Sequence, residues 1–162
     1  MASASRPVPS SAGVSGRMSR QRRRDTEPEV AIRRLLHARG LRFRVAFPIP
    51  GMPRRSMDVA FTRARVAVFV DGCFWHACPE HQTSPAANAA WWSAKLATNQ
   101  ARDLATNAHL TASGWRVIRI WEHEDPEVAA ARIAEEVSAG APSADEVRLT
   151  SAQSLSSKLS AR

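Results

Sequence analysis

The sequence predicts one mixed α/β domain, a single sheet flanked by helices. Three observations carry this. With 162 residues, 44% of them apolar, the chain can bury one core and is too short for two domains of ordinary size. Its hydrophobic periodicity alternates between the helical and the extended pattern in the order helix, three strands, irregular loop, long helix, strand, helix. Such an order layers helices on a sheet. No internal repeat interrupts it, and no run of 18 apolar residues offers a membrane span.

The first element follows from its cap. Thr26-Glu27-Pro28-Glu29 has capping-box spacing with Pro in the first turn, Ile32, Leu35 and Leu36 follow at helical spacing, and Gly40 is a natural stop, so a helix is expected over 26–39. Leu41, Phe43, Val45 and Phe47 then alternate with Arg42, Arg44 and Ala46, predicting a strand over 41–47, and the Pro- and Gly-rich segment 48–53 reads as a turn. Strands are expected over 56–61 and 66–70, joined through the short polar 62–65 as a hairpin. The second is apolar throughout, as a central strand should be. Residues 71–90 show neither period. Helical composition resumes from Trp91 to about Ser113 and ends at Gly114. Residues 115–121 read as a strand and 126–138 as an amphipathic helix, with a loose Ser/Ala-rich tail over 139–162.

Charge is uneven along the chain. The net charge is +8, and residues 1–24 hold six Arg and no acid, which leaves about +2 for the rest. A basic arm of low hydrophobicity is expected to stay disordered and to be drawn to polyanions by counterion release, or to serve only as a solubilising start. The expected organisation is therefore a disordered basic arm over 1–24, a folded domain over 25–138 and a flexible tail over 139–162. With no secretion signal read in the first residues, the protein is expected to be soluble and intracellular.

The densest chemistry lies in the irregular loop. Cys73, Phe74, Trp75, His76, Cys78 and His81 fall within nine positions, and two thiolates with one or two imidazoles suit tetrahedral zinc. Cys73, Cys78 and His81 supply three ligands. His123, after the 115–121 strand and Glu122, is the candidate fourth. The alternative is two buried free cysteines with surface histidines, which leaves the loop with little to order it. Phe74 and Trp75, followed by Trp91 and Trp92, are either core residues or aromatics that wedge between base pairs.

Carboxylates come next. Asp58 sits among apolar neighbours, and alternation places it on the face opposite Met57 and Val59; a carboxylate there needs a partner. Mg²⁺ is one, able to stabilise charge on a phosphate oxygen or activate water, and an ion pair with Arg54 is another. Asp71 closes the neighbouring strand and is expected nearby. Glu29 is the capping-box acid or a catalytic one. His76 is a metal ligand, a solvated loop residue or a general acid or base, and spacing does not choose among these.

Taken together, these residues resemble the very-short-patch repair (Vsr) mismatch endonucleases, from about Thr26 to Glu136. The resemblance runs through 26–36, Arg39 to Val45, Asp58, Phe69-Val70-Asp71-Gly72-Cys73-Phe74-Trp75-His76, then Trp92, Lys95, Asn99, Arg102-Asp103, Gly114 to Val117 and Trp121-Glu122. It implies a restriction-endonuclease-like fold of the PD-(D/E)xK type. It further implies that Asp58 and the main-chain carbonyl of Val70 bind a catalytic Mg²⁺, and that Glu29 and His76 complete the active site. Structural Zn²⁺ is implied at Cys73, Cys78, His81 and His123, with Asp103 in support of those ligands, and intercalation beside the mismatch at Phe74, Trp75 and Trp92. The chain departs from the family pattern in places. Val70 stands where some members have Thr, Met57 where Pro is usual, and His123 where some relatives have Cys; the strand after Asp58 lacks the Lys common in the wider class, which moves proton transfer onto His76.

The activity implied is nicking of one strand 5′ to the mispaired thymine of a T:G pair in double-stranded DNA, in very short patch repair of deaminated 5-methylcytosine. The expected setting is a monomer in the cytoplasm at the nucleoid, linked functionally to a cytosine-5 DNA methyltransferase and mismatch-repair proteins and not to a membrane. Two other readings fit the same residues: a related nuclease that cuts unmismatched DNA in defence, and a zinc-stabilised DNA-binding module without catalysis.

Overall fold

The structure, a computed structural model, describes residues 25–81 and 88–140. The expected basic arm at 1–24 and most of the expected tail lie outside the described residues. Among the described residues three helices and four strands run in the order α1 (Glu27–Ala38), β1 (Arg44–Ile49), β2 (Met52–Phe61), β3 (Val66–Asp71), α2 (Ala89–Ala112), β4 (Arg116–Trp121) and α3 (Pro126–Ala139). The last helix thus reaches one residue into the segment expected to be a tail.

The strands form one sheet in the order β1-β2-β3-β4, with β1-β2 and β2-β3 antiparallel and β3-β4 parallel through the α2 crossover. Helices cover both faces. On one, Ile32 and Leu36 of α1 and Ala129, Ala130 and Ile133 of α3 close over Val59, Phe61, Val66, Val68, Ile118 and Ile120. On the other, Leu110 of α2 packs with Ile49, Met57, Ala60, Ala67, Phe69 and Trp115. β3 feeds both layers, and Val66 to Phe69 are all buried, as expected of an apolar strand inside a mixed sheet.

Two expectations need correction. The segment 48–53 is not a turn throughout: β1 continues through Pro48 to Ile49, β2 begins at Met52 with Pro53 inside it, and only Pro50 and Gly51 turn the chain. Pro48 is tolerated because β1 is an edge strand and the register shifts between Pro48 and Ile49, and Pro53 because β2 pairs with β3 only from Val59 to Phe61, so β3 does not reach it. Gly51, at φ +79°, supplies the left-handed residue that the tight turn needs.

The second correction concerns Asp58. Met57 and Val59 do not share a face, since Met57 packs in the α2-side core and Val59 in the α1/α3-side core. Alternation breaks between them. The β1-β2 ladder pairs Val45 with Val59 and Phe47 with Met57, and Ala46, opposite Asp58, takes φ 49°. An extended strand cannot keep its phase through a left-handed residue. β2 also leaves β3 here, because their pairing ends at Val59↔Val68 while both strands continue. Asp58 therefore stands at the mouth of a fork between two strands.

Candidate active site and metal centre

The fork explains why a carboxylate occupies position 58. Arg116 and Glu122 donate their N–H groups to the carbonyls of Arg65 and Asp71, so alternate β3 residues bond to β4 and those between, Val70 among them, face β2. With β2 diverging, the Val70 N–H has no strand partner there, and Asp58 Oδ2 accepts it at 2.8 Å. The Val70 carbonyl projects to the same side of its strand and so toward the fork. Asp58 forms no ion pair among the described residues, Arg54 included.

Burial pushes the Asp58 carboxyl up to about 6, against the Val70 N–H that favours its charged form; the negative charges of Glu29 and Asp71 push it further and Arg119 opposes them. Carboxylates crowded around a half-buried acid make a site that a cation would relieve. The expected capping box does not form: Thr26 makes no side-chain bond to the helix N–H groups, and Glu29 instead accepts from Asp25 N and Thr26 Oγ1, each at 3.0 Å, at the α1 N-terminus where negative charge is favoured.

His76 lies on the loop after β3. Its Nδ1 is 2.6 Å from Asp103 Oδ2 and 3.6 Å from Asp71 Oδ1. Burial alone would lower the His76 pKa, yet the hydrogen bond with Asp103 and the charges of both aspartates raise it. Asp103 moves the other way: burial would raise it, but the bond with His76, then Arg119, brings it down. An ionised Asp103 accepts from Nδ1–H, which leaves Nε2 as the nitrogen available to a reacting group. Asp71 is buried, which raises its pKa against the opposing pull of Arg119 and His76. Asp103, expected to support the zinc ligands, instead holds His76.

The Cys/His loop and His123 come together into one cluster. Ligand atoms of Cys73, Cys78, His81 and His123 all lie within 4.8 Å of one another. Cys73 Sγ is 3.1 Å from His123 Nδ1, and Cys78 Sγ is 3.8 Å from Nδ1 of both His81 and His123. A tetrahedral zinc with ~2.3 Å to sulfur and ~2.1 Å to nitrogen sets its donors roughly 3.3–3.8 Å apart, so this donor set fits the ion. Burial and the neighbouring Cys78 thiol push Cys73 up to about 11. Burial would raise Cys78 too, but backbone N–H groups at Glu80 and His81 and the His81 ring bring it down. The groups that support the ligands are Glu122, whose Oε1 accepts from Cys73 N at 2.7 Å, and Glu80, 3.4 Å from His123 Nε2. They were not expected from the sequence.

Phe74 and Trp75, between two of the zinc-type ligands, meet Trp92 from the start of α2. Ring centroids are 5.1 Å apart for Phe74–Trp75, 5.2 Å for Phe74–Trp92 and 6.0 Å for Trp75–Trp92, and Trp91 joins at 4.8 Å from Trp92. Asn99 Nδ2 donates to the Trp75 carbonyl at 3.0 Å, tying the loop to α2. All four rings are half-buried and none belongs to either core cluster. Sequence reasoning missed Arg119, which bonds to Asp71 and Asp103. A signal was present: an arginine between Ile118 and Ile120 in a strand of the sheet needs a buried acid.

A carboxylate at a strand fork, an aspartate-held imidazole and a Cys/His loop carrying aromatics thus gather into one candidate site. Comparison with known proteins places it. The family model for DNA mismatch endonuclease Vsr matches residues 10–82. Type II nicking enzyme V.NaeI of Lentzea aerocolonigenes is 44% identical over 135 residues, covering 82% of this chain and 81% of its own. Type II nicking enzyme V.XorIIP of Xanthomonas oryzae is 42% identical over 110 residues, 66% of this chain and 77% of its own. DNA mismatch endonuclease Vsr of Escherichia coli is 36% identical over 104 residues, 61% and 62% of the two chains. The chain belongs to the Vsr endonuclease family, and its substrate is DNA. No helix among the described residues is long and apolar enough to cross a membrane.

Proposed function

We propose that the protein nicks one strand 5′ to the mispaired thymine of T:G pairs, the first step in very short patch repair of deaminated 5-methylcytosine. The observation that supports this best is that His76 and the aromatics Phe74 and Trp75 share one short loop beside the Cys/His cluster. Rings that unstack the duplex would then bring the neighbouring phosphate to the acid–base group as one rigid body. A T:G pair lowers the cost of that distortion, so selection and chemistry are coupled.

Asp58 and the Val70 carbonyl are the groups that would hold Mg²⁺, and Cys73, Cys78, His81 and His123 those that would hold a structural Zn²⁺. Mg²⁺, when bound, neutralises charge developing on the phosphate and lowers the pKa of water. Asp103 fixes the His76 ring so that Nε2 faces the reaction, where it takes a proton from the attacking water or gives one to the leaving oxygen. Glu29 orients a water or supports His76. Phe74, Trp75 and Trp92 enter the duplex. The same reading makes the enzyme a monomer at the nucleoid, tied functionally to a cytosine-5 DNA methyltransferase and mismatch-repair proteins.

A second reading, nicking of unmismatched DNA, is favoured by relatives whose names state nicking and say nothing of mismatches. Labelled duplexes differing only in a T:G or C:G pair, incubated with Mg²⁺ beside Asp58→Ala, separate the two. A cut confined to the T strand of the mismatched duplex and lost in the variant is the expected result. Equal cutting of both duplexes selects the second reading, and binding without any cut refutes both.

A further inference from the structure

Arg119 takes no part in the roles assigned so far, yet it touches both carboxylates that flank His76. Its Nη1 donates to the two oxygens of Asp71 at 2.8 and 2.7 Å, Nη2 to Asp103 Oδ1 at 3.1 Å and Nε to Asn107 Oδ1 at 3.2 Å. Its guanidinium carbon lies 4.9 Å from the Phe69 ring centroid. All three nitrogens of the planar fork are thereby engaged, which no ammonium on a flexible stem reproduces.

His76 Nδ1 has two carboxylates in reach, Asp103 at 2.6 Å and Asp71 at 3.6 Å. We infer that Arg119 is a positioning residue that decides which of them holds His76: it occupies both oxygens of Asp71 and one of Asp103, leaving Asp103 Oδ2 as the acceptor for Nδ1–H. Without the guanidinium, Asp71 is a buried carboxylate with its oxygens released, and it competes for the ring. The imidazole then turns toward Asp71 and Nε2 leaves the line of the reaction. The same clamp keeps Asp71 from serving as a ligand beside Asp58, although both acids border the fork. The inference rests on His76 being the proton-transfer group.

The test uses the full chain with its zinc, on the duplex the wild type nicks fastest. Single-turnover nicking rates are measured with Mg²⁺ and DNA affinity separately without it, for Arg119→Gln, Asp71→Asn, the double variant and His76→Ala. Arg119→Gln is expected to slow nicking by about 10–100-fold, the range for groups that orient an active residue, with DNA affinity unchanged. The double variant is expected to recover most of the rate, because removing the Asp71 charge removes the competitor. The downfield imidazole proton of the His76–Asp103 bond, assigned by its loss in His76→Ala, should vanish in Arg119→Gln and return in the double variant.

A folded Arg119→Gln that cuts at the wild-type rate, a loss that shows in affinity, or a double variant no faster than Arg119→Gln overturns the inference. Should Arg119→Gln fail to fold, the double variant is compared with Asp71→Asn alone: similar rates support the inference and a large drop overturns it. If His76→Ala cuts like the wild type, the assignment of His76 fails, and the imidazole proton in the Arg119→Gln spectrum alone decides whether Arg119 positions the ring.

Discussion

Replacing Asp58 by Asn should stabilise the Mg²⁺-free protein while abolishing nicking. The folded-state pKa of Asp58 is raised from 3.8 to about 6, so the folded chain holds this proton more tightly than the unfolded chain. The associated stability is fully present below the unfolded pKa and is lost as pH rises from about 4 through about 6. Above pH 7 the buried charge costs the free energy of that interval, ~3 kcal/mol at 1.36 kcal/mol per pH unit. Asn carries no charge and can still accept the Val70 N–H through Oδ1, so up to ~3 kcal/mol is recovered at pH 8. That corresponds to roughly 10 °C in Tm for a domain of this size. Below pH 4 wild type and variant should converge. Urea unfolding of wild type and variant side by side at matched pH values from 4 to 8, in buffer stripped of Mg²⁺, measures how the difference between them grows. Added Mg²⁺ should then stabilise the wild type and not the variant, by binding only the native state. An Asn variant no more stable than wild type at pH 8 would refute the argument that an uncompensated carboxylate defines this site.

Three further outcomes are expected. Asp103→Asn should lower the nicking rate on the order of 10²–10⁴-fold with little change in DNA affinity, because the ring loses the acceptor that fixes its tautomer; an unaltered single-turnover rate would remove Asp103 from the mechanism. Cys78→Ser should reduce zinc content, measured by elemental analysis, and with it nicking, because Cys78 is one of the four donors that would hold the ion and Phe74, Trp75 and His76 lie between it and Cys73; full activity without zinc would show that the cluster is not a structural site. Trp75→Ala should narrow the ratio of affinities for T:G and C:G duplexes, since each stacked base is worth about 1–3 kcal/mol. An unchanged ratio would place the ring outside the DNA interface.

Local and tertiary information separate cleanly at the edge hairpin. Pro48 and Pro53 break strands in a reading by residue type, yet both lie in strands. Whether a missing N–H matters depends on which side of the strand has a neighbour, and that is settled for Pro48 only when β1 becomes an edge and for Pro53 only when β2 parts from β3. Asp58 was found from its apolar surroundings, whereas its facing was misread because Ala46, which breaks the phase, lies on another strand. The zinc-type ligands were legible, three of them within one short loop, with His123 close behind a predicted strand.

What the sequence determined by itself was the set of elements, the central place of β3, the Cys/His cluster and the aromatic pair beside it. Each of these depends on periodicity or on donors crowded within a few positions, so each is encoded locally. Only the tertiary structure decided how the acids share their work. Asp103 joins His76 across 27 positions, and Arg119 reaches Asp71 across 48 and Asp103 across 16. Those bonds form because the parallel β3-β4 pairing and the packing of α2 carry the three elements to one end of the sheet. A carboxylate's partner is chosen by the space around it, and that space does not exist until the strands have diverged.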